Sequence, residues 1–366
     1  MAKGPTVYDV AKRAGVSIAT VSFAFRRPEK VKASTREMVL SVARELGYVP
    51  SASARGLAHG RTGALGLFAF EYLLESTYPP VGAAGARTPS ESVPIDADSD
   101  EDFRLFPLYV DEVQRGVELE CWRRGYALMV GGRGHANIEA VLADIAGRVD
   151  GLAVFPHTIP DDVLQRIAWR IPVVEMSETS RDDELNHVTV DNVGGMRVLT
   201  DHLIKVHGMR TFAFVGDTAG SDQLARFQGF KVALGAAGLP VPSAAIAHPG
   251  GVIRQAAVIV RDAQAQGAMP DAMVCATDQE ALALMDALAG AGIDVPRDVA
   301  VTGFDGIAAG RIVRPALTTV RQPMEQMGRA VVDILIDQLD RPGQPLTSRQ
   351  LPVRVVLRET CGCRPK

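Results

Sequence analysis

Residues 6–22 read TVYDVAKRAGVSIATVS, and this stretch decides the fold of the N-terminal part of the chain. Its first half has apolar residues at the three- and four-residue spacing of an amphipathic helix, namely Val7, Val10, Ala11 and Ala14. Thr6 precedes that helix and Asp9 follows three residues later, a pairing typical of a helix N-terminus. Gly15 then breaks the pattern. The stretch therefore predicts a short helix, a turn and the start of a second helix.

Two further helices are expected within the first fifty residues. Ser17 is the predicted N-cap of the second helix, which we place at about residues 18–25. The third helix is expected at about residues 35–46, opened by a capping box of Ser34 and Glu37. Two helices separated by a tight turn and supported by a third are typical of a helix-turn-helix unit. A small helical hairpin that is not a helix-turn-helix unit would show the same periodicity of apolar residues.

The identity and order of the residues favour the helix-turn-helix unit over a helical hairpin that does not bind DNA. Residues 6–22, with VKASTREMVLSVARELGYVP at 31–50 and SASARGL at 51–57, closely resemble the DNA-binding part of the LacI/GalR (lactose-repressor) family of bacterial transcriptional regulators. The resemblance implies a helix-turn-helix DNA-binding domain over residues 1–50, called here the head, and a hinge helix over residues 51–61. It also implies double-stranded operator DNA as a partner.

The same resemblance assigns DNA contacts to individual residues of the head. Positions that grip phosphates or face the DNA in the family are occupied by Thr6, Tyr8, Ser17, Thr20 and Ser22. Hydroxyl groups and a helix N-terminus bind phosphate oxygens without reading the base sequence. The base-reading positions hold Ile18, Ala19 and Phe23, and Arg26 is expected to add a polar contact. Ile18 and Ala19 suit thymine methyl groups, whereas burial in the three-helix core is the alternative for Phe23.

The hinge carries a second expected contact with DNA. Pro50 disfavours helix at Val49, so a new element begins after it. Such a short helix is marginal alone in water and should form only with DNA and a partner hinge. By resemblance, Arg55 and Leu57 contact the DNA, and Leu57 is wedged into the minor groove, where an apolar side chain kinks the duplex. The alternative is a linker with one exposed leucine.

The charge of the chain is unevenly distributed. The 366 residues carry a formal net charge of −4. Residues 1–61 hold eleven Lys and Arg against four Asp and Glu, a net charge of +7, which leaves −11 for the remainder. A polyanion such as DNA is therefore expected to meet the N-terminal segment alone.

From about residue 62 the sequence alternates apolar strands with amphipathic helices, and this part is called here the body. Examples of such strands are ALGLFAF at 64–70, GLAVF at 151–155 and VAVTGF at 299–304. The alternation predicts a doubly wound α/β fold in two similar lobes, with a ligand site in the cleft between them. The body also resembles that of the same family and of periplasmic sugar-binding proteins, through blocks such as VDNVGG at 190–195 and VTGFDG at 301–306.

The resemblance also divides the body into lobes. It places crossings between the lobes near Val190, Arg321 and Pro345. The expected division is 62–190 plus 322–345 for the N-terminal lobe and 191–321 plus 346–366 for the C-terminal lobe. Residues 76–104 are an insertion relative to the family, and their richness in Pro, Gly, Ser and acidic residues predicts a mobile segment.

Arg226 and Asp305 are the expected anchors of a small-molecule effector. Arg226 opens RFQGF at the family's ligand-gripping arginine position, and Asp305 follows a strand at its carboxyl end. Their donors and acceptors suit vicinal hydroxyl groups, whereas a structural ion pair between them is the alternative. Weaker candidates, placed by strand ends or by alignment, are Asp191, Asp278, Thr277, Ser177 and Glu71.

The sequence motifs of enzymes and of metal-binding sites are missing or incomplete. The chain has no G-x-G-x-x-G between a strand and a helix, no G-x-S-x-G and no H-E-x-x-H, so we expect neither catalysis nor a cofactor. Cys361 and Cys363 are expected to be free thiols, since no second pair completes a zinc site. His202 and His207 lie five residues apart, a spacing that does not align well on one helix face. We therefore expect no metal.

These observations predict a sequence-specific transcriptional regulator, a repressor by resemblance, controlled by a sugar- or nucleoside-type effector. An activator is the alternative, and a solute-binding protein is disfavoured by the basic N-terminal segment and by the lack of a signal peptide. The protein is expected to be cytoplasmic, without a membrane segment, and at least a homodimer on a near-palindromic operator, with a tetramer as the alternative. Whether the effector releases or strengthens DNA binding stays open.

Overall fold

The computed structural model describes residues 5–26, 28–48, 61–68, 108–131, 138–155, 159–177, 185–249, 251–265, 267 and 269–364. The chain divides into two compact units, Met1–Gly63, which contains the head, and Ala64–Lys366, which corresponds to the body. The expected hinge residues Arg55 and Leu57, the insertion at 76–104 and the candidate Glu71 lie outside the described residues. Among the described helices, none is long and apolar enough to cross a membrane.

The head is a bundle of three helices, α1 (Val7–Ala14), α2 (Ile18–Arg26) and α3 (Ala33–Leu46). Its core is formed by Val10, Ala11, Ala14, Val21, Ala24, Val39 and Ala43. The backbone N–H and the hydroxyl group of Thr6 both donate to the Asp9 carboxylate, and the Thr20 N–H donates to Ser17 Oγ at 3.1 Å. Both predicted N-caps are therefore present, and the predicted helix-turn-helix head is confirmed.

The third helix begins earlier than its sequence signals predict. α3 starts at Ala33, and Lys32 is its N-cap without a side-chain capping bond. The Arg36 N–H donates to the Lys32 carbonyl oxygen at 3.0 Å, which places Ser34 inside the first turn. The expected capping box of Ser34 and Glu37 was wrong, because the backbone closes the first turn before the predicted start.

The body alternates strands and helices along its length. Its first part comprises β1 (Ala64–Phe68), α4 (Leu108–Arg124), β2 (Ala127–Gly131), α5 (Ile138–Ala146), β3 (Gly151–Val154), α6 (Asp161–Ala168), β4 (Val173–Met176) and β5 (Asn186–Val190). The middle part comprises α7 (Asn192–His207), β6 (Phe212–Val215), α8 (Ser221–Ala236), α9 (Val252–Ala265), β7 (Ala272–Cys275), α10 (Asp278–Gly290), β8 (Ala300–Asp305) and α11 (Ala309–Ile312). The last part comprises β9 (Thr318–Arg321), α12 (Met324–Asp340), β10 (Ser348–Leu351) and β11 (Arg354–Val356).

Two sheets, formed by the described strands, divide the body into two lobes. The N-terminal lobe contains six parallel strands in the order β10–β5–β4–β3–β1–β2. The C-terminal lobe contains five strands in the order β11–β9–β8–β7–β6, parallel except for the pair of β11 with β9. The strands β3, β4, β7 and β8 are buried along their whole length, as in sheets covered by helices on both faces. The predicted doubly wound α/β class is confirmed.

The first two crossings between the lobes fall near their expected places. The chain leaves the N-terminal sheet after β5 and enters α7 at Asp191. It leaves the C-terminal sheet after β9, and Gln322 and Pro323 lead into α12. α12 packs on α4 and against β3, β4 and β5, so it belongs to the N-terminal lobe.

The third crossing differs from the expectation. β10 pairs in parallel with β5 of the N-terminal sheet, and only β11 joins the C-terminal sheet. The chain therefore crosses between Leu351 and Arg354, not near Pro345. Residues 346–351 belong with the N-terminal lobe, contrary to the predicted division, because the edge of that sheet is completed by a strand from the end of the chain.

Each lobe contains a pair of helices whose backbones approach closely at a glycine. α12 packs on α4, and a Cβ at Gly328 would lie 2.2 Å from the Val113 carbonyl oxygen. α8 packs on α7, and a Cβ at Gly229 would lie 2.3 Å from the Val193 carbonyl oxygen. Because no side chain fits into these spaces, the missing Cβ sets the distance between the helices in both lobes.

Replacing Gly229 with Ala should therefore destabilise the body. The added methyl group must push α8 away from α7, and such overpacking costs about 1–3 kcal/mol of unfolding free energy. Gly235→Ala on the same helix is the matched control, because a Cβ there would meet nothing closer than 4.0 Å. Thermal unfolding followed by circular dichroism should show a lower melting temperature for Gly229→Ala and an unchanged or higher one for Gly235→Ala. Equal melting temperatures for the two variants would contradict the close packing.

Candidate functional site

The surface of the head carries large apolar side chains that its core does not use. Tyr8 on α1 is 68% exposed, and Ile18 and Phe23 on α2 are 42% and 40% exposed. The Lys30 ammonium group lies 6.0 Å from the centre of the Phe23 ring, at the edge of cation–π range. Phe23 is therefore on the surface, and the alternative that it fills the three-helix core was wrong.

The N-terminus of α2 presents hydroxyl groups next to these apolar side chains. Ser17 Oγ and Thr20 Oγ1 lie 2.9 Å apart, and the first turn of α2 contains no acidic residue. Ala19 is exposed and Ser22 is half-buried, while the side chain of Arg26 lies outside the described residues. A helix N-terminus of this kind suits an anion such as phosphate, because the helix dipole and the first N–H groups are positive there.

A second candidate site lies in the body, in the cleft between the lobes. The Leu108 N–H, at the start of α4 in the N-terminal lobe, donates to Gln279 Oε1 of α10 in the C-terminal lobe at 2.7 Å. This bond bridges the lobes beside the carboxyl ends of the strands, where β8 ends at Asp305 and β7 leads into Thr277. Doubly wound folds bind their ligands in this region.

Arg226 is buried in the C-terminal lobe, and its guanidinium group is held from several directions. Nε donates to Asn192 Oδ1 at 2.9 Å, and Nη1 donates to the Ala276 carbonyl oxygen at 2.8 Å. Nη2 donates to Asp222 Oδ2 at 3.1 Å. The guanidinium carbon lies 4.0 Å from the centre of the Phe304 ring, so a stacking contact fixes its plane. The side chain is therefore fixed in orientation by the protein itself.

Asp305 lies beside the same guanidinium group. Arg226 Nη1 and Asp305 Oδ1 are 3.4 Å apart, which is long for an ion pair. Asp305 Oδ1 accepts a shorter hydrogen bond from Gln322 Nε2 at 2.7 Å, and the Gln322 N–H donates to the Asp305 carbonyl oxygen at 2.9 Å. The φ angle of Asp305 is 122°, a conformation that non-glycine residues rarely adopt and that is typical of functional positions. The structure thus brings the two expected anchors together.

Asp278 lies at the start of α10, directly after β7, as its sequence context suggests. It is fully buried, and its Oδ2 accepts hydrogen bonds from the N–H groups of Gly306 and Ile307 at 2.8 and 2.9 Å. Its Oδ1 accepts a hydrogen bond from the Thr319 hydroxyl at 2.6 Å. Because Oδ2 holds the loop that follows β8 and Oδ1 binds β9, Asp278 supports the position of Asp305 at the end of β8.

The remaining candidates in the body also have structural contacts. Asp191 Oδ1 accepts a hydrogen bond from the Gly194 N–H at 2.8 Å and caps α7. Thr277 Oγ1 accepts one from the Glu280 N–H at 3.2 Å and caps α10. Ser177, which follows β4, is buried and has a φ angle of 61°. Asp191 and Thr277 therefore shape the helix ends that border the cleft.

Three polar side chains that form hydrogen bonds with the anchors were not predicted from the sequence, namely Asn192, Asp222 and Gln322. Asp222 lies four residues before Arg226 on α8, and this spacing is a recognisable signal of an ion pair on one helix face. Asn192 follows the first crossing between the lobes, and Gln322 lies in the second crossing. Their distance to Arg226 and Asp305 depends on the order of strands in the sheet, which spacing along the chain does not reveal.

Several carboxyl groups in this region are buried, and burial changes their pKa values. Burial raises the pKa of Glu280 to about 7, against the lowering effect of its hydrogen bonds with Thr277. Burial also raises the pKa of Asp278, and the neighbouring Asp305 carboxylate raises it further. The pKa of Asp305 is raised by burial as well, while the positive charge of Arg226 acts in the opposite direction. The anchors therefore lie in a poorly solvated environment where hydrogen bonds and charges act strongly.

Comparisons with known proteins match both units of the chain. A family model described as bacterial regulatory proteins, lacI family, matches residues 6–51, and one described as a periplasmic binding protein-like domain matches residues 200–361. The HTH-type transcriptional repressor PurR of Erwinia tasmaniensis is 30% identical over 341 residues, covering 91% of this chain and 90% of that protein. The ribose operon repressor of Escherichia coli is 26% identical, covering 97% of this chain and 98% of that protein.

Solved structures have the same fold. The lac repressor dimer bound to operator and the anti-inducer ONPF has a TM-score of 0.76 at 23% identity, covering 98% of this chain and 99% of that chain. A complex of the transcriptional regulator CelR with cellobiose has a TM-score of 0.64 at 25% identity, covering 97% of this chain and 99% of that chain.

A helix-turn-helix head followed by a two-lobed α/β body defines a DNA-binding transcriptional regulator, and the similar proteins along nearly the whole chain are transcriptional repressors. More particularly, the chain belongs to the lacI family of bacterial regulatory proteins. The family predicted from the resemblance of residues 6–57 is confirmed. The relatives named above are described as transcriptional repressors.

The stability of the body should depend on pH through Glu280. Because burial raises its pKa from 4.5 to about 7, this carboxyl group binds a proton more readily in the folded chain than in the unfolded chain. Its contribution to stability is therefore fully present below about pH 4.5 and is lost as the pH rises through about 7. Glu280→Gln cannot titrate, so its melting temperature should match that of the wild type near about pH 5 and exceed it near about pH 8.

Differential scanning fluorimetry across this range tests the expectation. Asp286→Asn is the matched control, because it replaces an exposed carboxyl group on the same helix. If the melting temperatures of Glu280→Gln and the wild type differ by the same amount at every pH in this range, the shifted pKa of Glu280 is ruled out.

Proposed function

We propose that this protein is a repressor that binds its operator as a homodimer and is controlled by a neutral, sugar-type effector held between the lobes by Arg226. The names of its relatives favour repression over activation. The effector part of the proposal is carried by one observation, the fixed guanidinium group of Arg226, which is stacked on Phe304 and flanked by Asp222 and Asp305.

The charges around Arg226 favour a neutral effector. Its Nη2 and Nη1 atoms face Asp222 and Asp305 at 3.1 and 3.4 Å, so its positive charge is already shared with two carboxyl groups. A phosphate or carboxylate ligand would bring further negative charge beside these groups, and like charges repel strongly where the effective dielectric constant is low. Hydroxyl groups can donate to carboxylates and accept from a guanidinium group at the same time. A polyhydroxyl ligand therefore fits better than a sugar phosphate or a nucleotide.

A free sugar and a nucleoside both offer such hydroxyl groups. We place a ribose-type sugar first, because the ribose operon repressor is similar over 97% of this chain and the CelR regulator has been solved with cellobiose. A nucleoside carries the same vicinal hydroxyl groups on its ribose and is the alternative that a ligand panel separates. In either case Asp305 accepts hydrogen bonds from the hydroxyl groups and Arg226 donates to their oxygens.

The head supplies the contacts with DNA in this proposal. Ser17 and Thr20 at the N-terminus of α2 bind phosphates. The exposed Ile18 and Ala19 contact thymine methyl groups, and the exposed Phe23 is a further base-reading side chain. The lac repressor, which is similar in fold, was solved as a dimer on its operator. One head covers one half-site, so we propose a homodimer on a near-palindromic operator, with a tetramer as the larger alternative. The hinge contacts of Arg55 and Leu57 belong to the same proposal.

Phe23→Ala should weaken binding to the operator and leave binding to random DNA unchanged. The change removes an apolar contact with a base and no charge, so the salt dependence should also persist. We expect specific affinity to fall about tenfold, in line with the loss of one base contact. Met38→Ala is the control, because Met38 is 41% exposed on α3 of the same head.

Fluorescence anisotropy measures the affinity of the wild type and of both variants for an operator isolated by in vitro selection and for random DNA. Each affinity is measured at two salt concentrations. Equal losses of affinity for the two DNAs would show that Phe23 does not read bases.

Arg226→Ala should abolish the response to the effector while operator binding without effector persists. Isothermal titration calorimetry of the wild type against ribose, other aldoses, nucleosides and sugar phosphates first identifies the ligand. Arg261→Ala is the control, because its side chain is 72% exposed on α9 of the same lobe. A full effector response by Arg226→Ala would place the effector site elsewhere. Tightest binding of a phosphorylated sugar would contradict the neutral effector.

A further inference from the structure

Four side chains suited to a metal ion meet in the C-terminal lobe. His202 and His207 come from the end of α7, and Cys361 and Cys363 come from the tail that follows β11. Their ligand atoms, two imidazole nitrogens and two sulfurs, all lie within 4.8 Å of one another. This grouping was not predicted from the sequence, because the two cysteines were left without a second pair and the two histidines were judged too far apart in helical register.

The distances within this group fit a single small ion. His202 Nε2 and His207 Nε2 are 3.1 Å apart, and Cys363 Sγ lies 3.4 Å from each of them. A tetrahedral zinc ion with bonds of about 2.05 Å to nitrogen and about 2.3 Å to sulfur separates two nitrogens by about 3.3 Å and a nitrogen from a sulfur by about 3.5 Å. The side chains therefore already have nearly the spacing that such an ion requires.

The local backbone explains how histidines five residues apart reach the same point. The Gly208 N–H donates to the Leu203 carbonyl oxygen, five residues back instead of four, so the last turn of α7 is wider than a regular α-helical turn. The two imidazole rings meet edge to face with their centres 4.9 Å apart. Gly362, between the cysteines, has a φ of 95°, and this turn brings both sulfurs to the histidines.

The tail is held in position by contacts on its other side. The Ala316 N–H donates to the Glu359 carboxylate at 2.6 Å, and the Thr318 N–H donates to the Thr360 hydroxyl at 2.9 Å. The Thr318 hydroxyl donates to Cys361 Sγ at 3.1 Å, a contact of the kind that orients a metal ligand and stabilises a thiolate. Cys361 is buried and the other three residues are half-buried, so the group is shielded but can still be reached from solvent.

We propose that His202, His207, Cys361 and Cys363 bind one Zn²⁺ ion per chain in a closed tetrahedral site. Thiolate and imidazole are the ligands that zinc prefers, and four protein ligands leave no open position for catalysis. Each thiol releases its proton to solvent as the ion binds. The ion ties the C-terminal tail to α7 and is structural. This site is independent of the effector proposed above.

Metal analysis of the full chain tests the proposal. Protein expressed with added zinc and purified without chelator should contain about one zinc ion per chain by mass spectrometry of the metal. The double variant Cys361→Ser with Cys363→Ser, and the single variant His202→Ala, should each retain less than about a tenth of that amount. His248→Ala is the matched control, because His248 lies in the same lobe and its Nδ1 contacts only the neighbouring Pro249 carbonyl oxygen among the contacts of the described residues.

Cobalt substitution gives a second, spectroscopic readout of the same site. The wild type stripped of zinc and loaded with Co²⁺ should show the intense visible bands of a tetrahedral ion and thiolate-to-metal charge-transfer absorption, which the double cysteine variant should lack. Chelation should lower the melting temperature of the wild type and leave that of the double variant unchanged. Wild-type protein that neither contains zinc nor gives the cobalt spectrum would overturn the proposal, as would full zinc content in the double variant.

Discussion

The hydrogen bonds of the Arg226 guanidinium group hold together the side of the C-terminal lobe that faces the cleft. The guanidinium group connects Asn192, which follows the first crossing between the lobes, with Asp305, which is held in turn by Gln322 at the second crossing. Two of the three connections between the lobes are therefore tied to one side chain. A ligand that engages Arg226 acts on both connections at once. It can shift the relative positions of the lobes only in so far as it binds one arrangement more tightly than the other.

Stability alone is a poor explanation of this arrangement. Burying an arginine with several carboxyl groups requires their desolvation, and apolar residues of similar volume often give equal or greater stability. The raised pKa of Glu280 and the unusual φ of Asp305 are both unfavourable features that the surrounding contacts must offset. Asp278 provides part of this support, since one oxygen binds the loop after β8 through Gly306 and Ile307 and the other binds Thr319 of β9. Polar groups fixed in this way at the carboxyl ends of strands support the effector site proposed above.

The parts of the structure that follow from short-range signals could be predicted from the sequence, and those that depend on distant segments could not. The capping contacts of Thr6 with Asp9 and of Ser17 with Thr20 lie within one turn of helix, so residue type and spacing were sufficient. The third crossing was misplaced because β10 pairs with β5, more than a hundred residues away along the chain. The cluster of His202, His207, Cys361 and Cys363 was missed for the same reason, together with a widened helical turn that the regular spacing rule does not include.

α7 connects the two polar sites of the C-terminal lobe. Its sixteen residues span about 24 Å at the α-helical rise. At one end Asp191 caps the helix and Asn192 binds Arg226, and along its side Gly229 of α8 contacts Val193 without a side chain between them. At the other end its histidines meet the cysteines of the tail. A helix fixed at both ends and along its side cannot bend without breaking several of these contacts. An event at Arg226 should therefore move the C-terminal lobe as a rigid body against the N-terminal lobe, with the change in conformation confined to the three crossings.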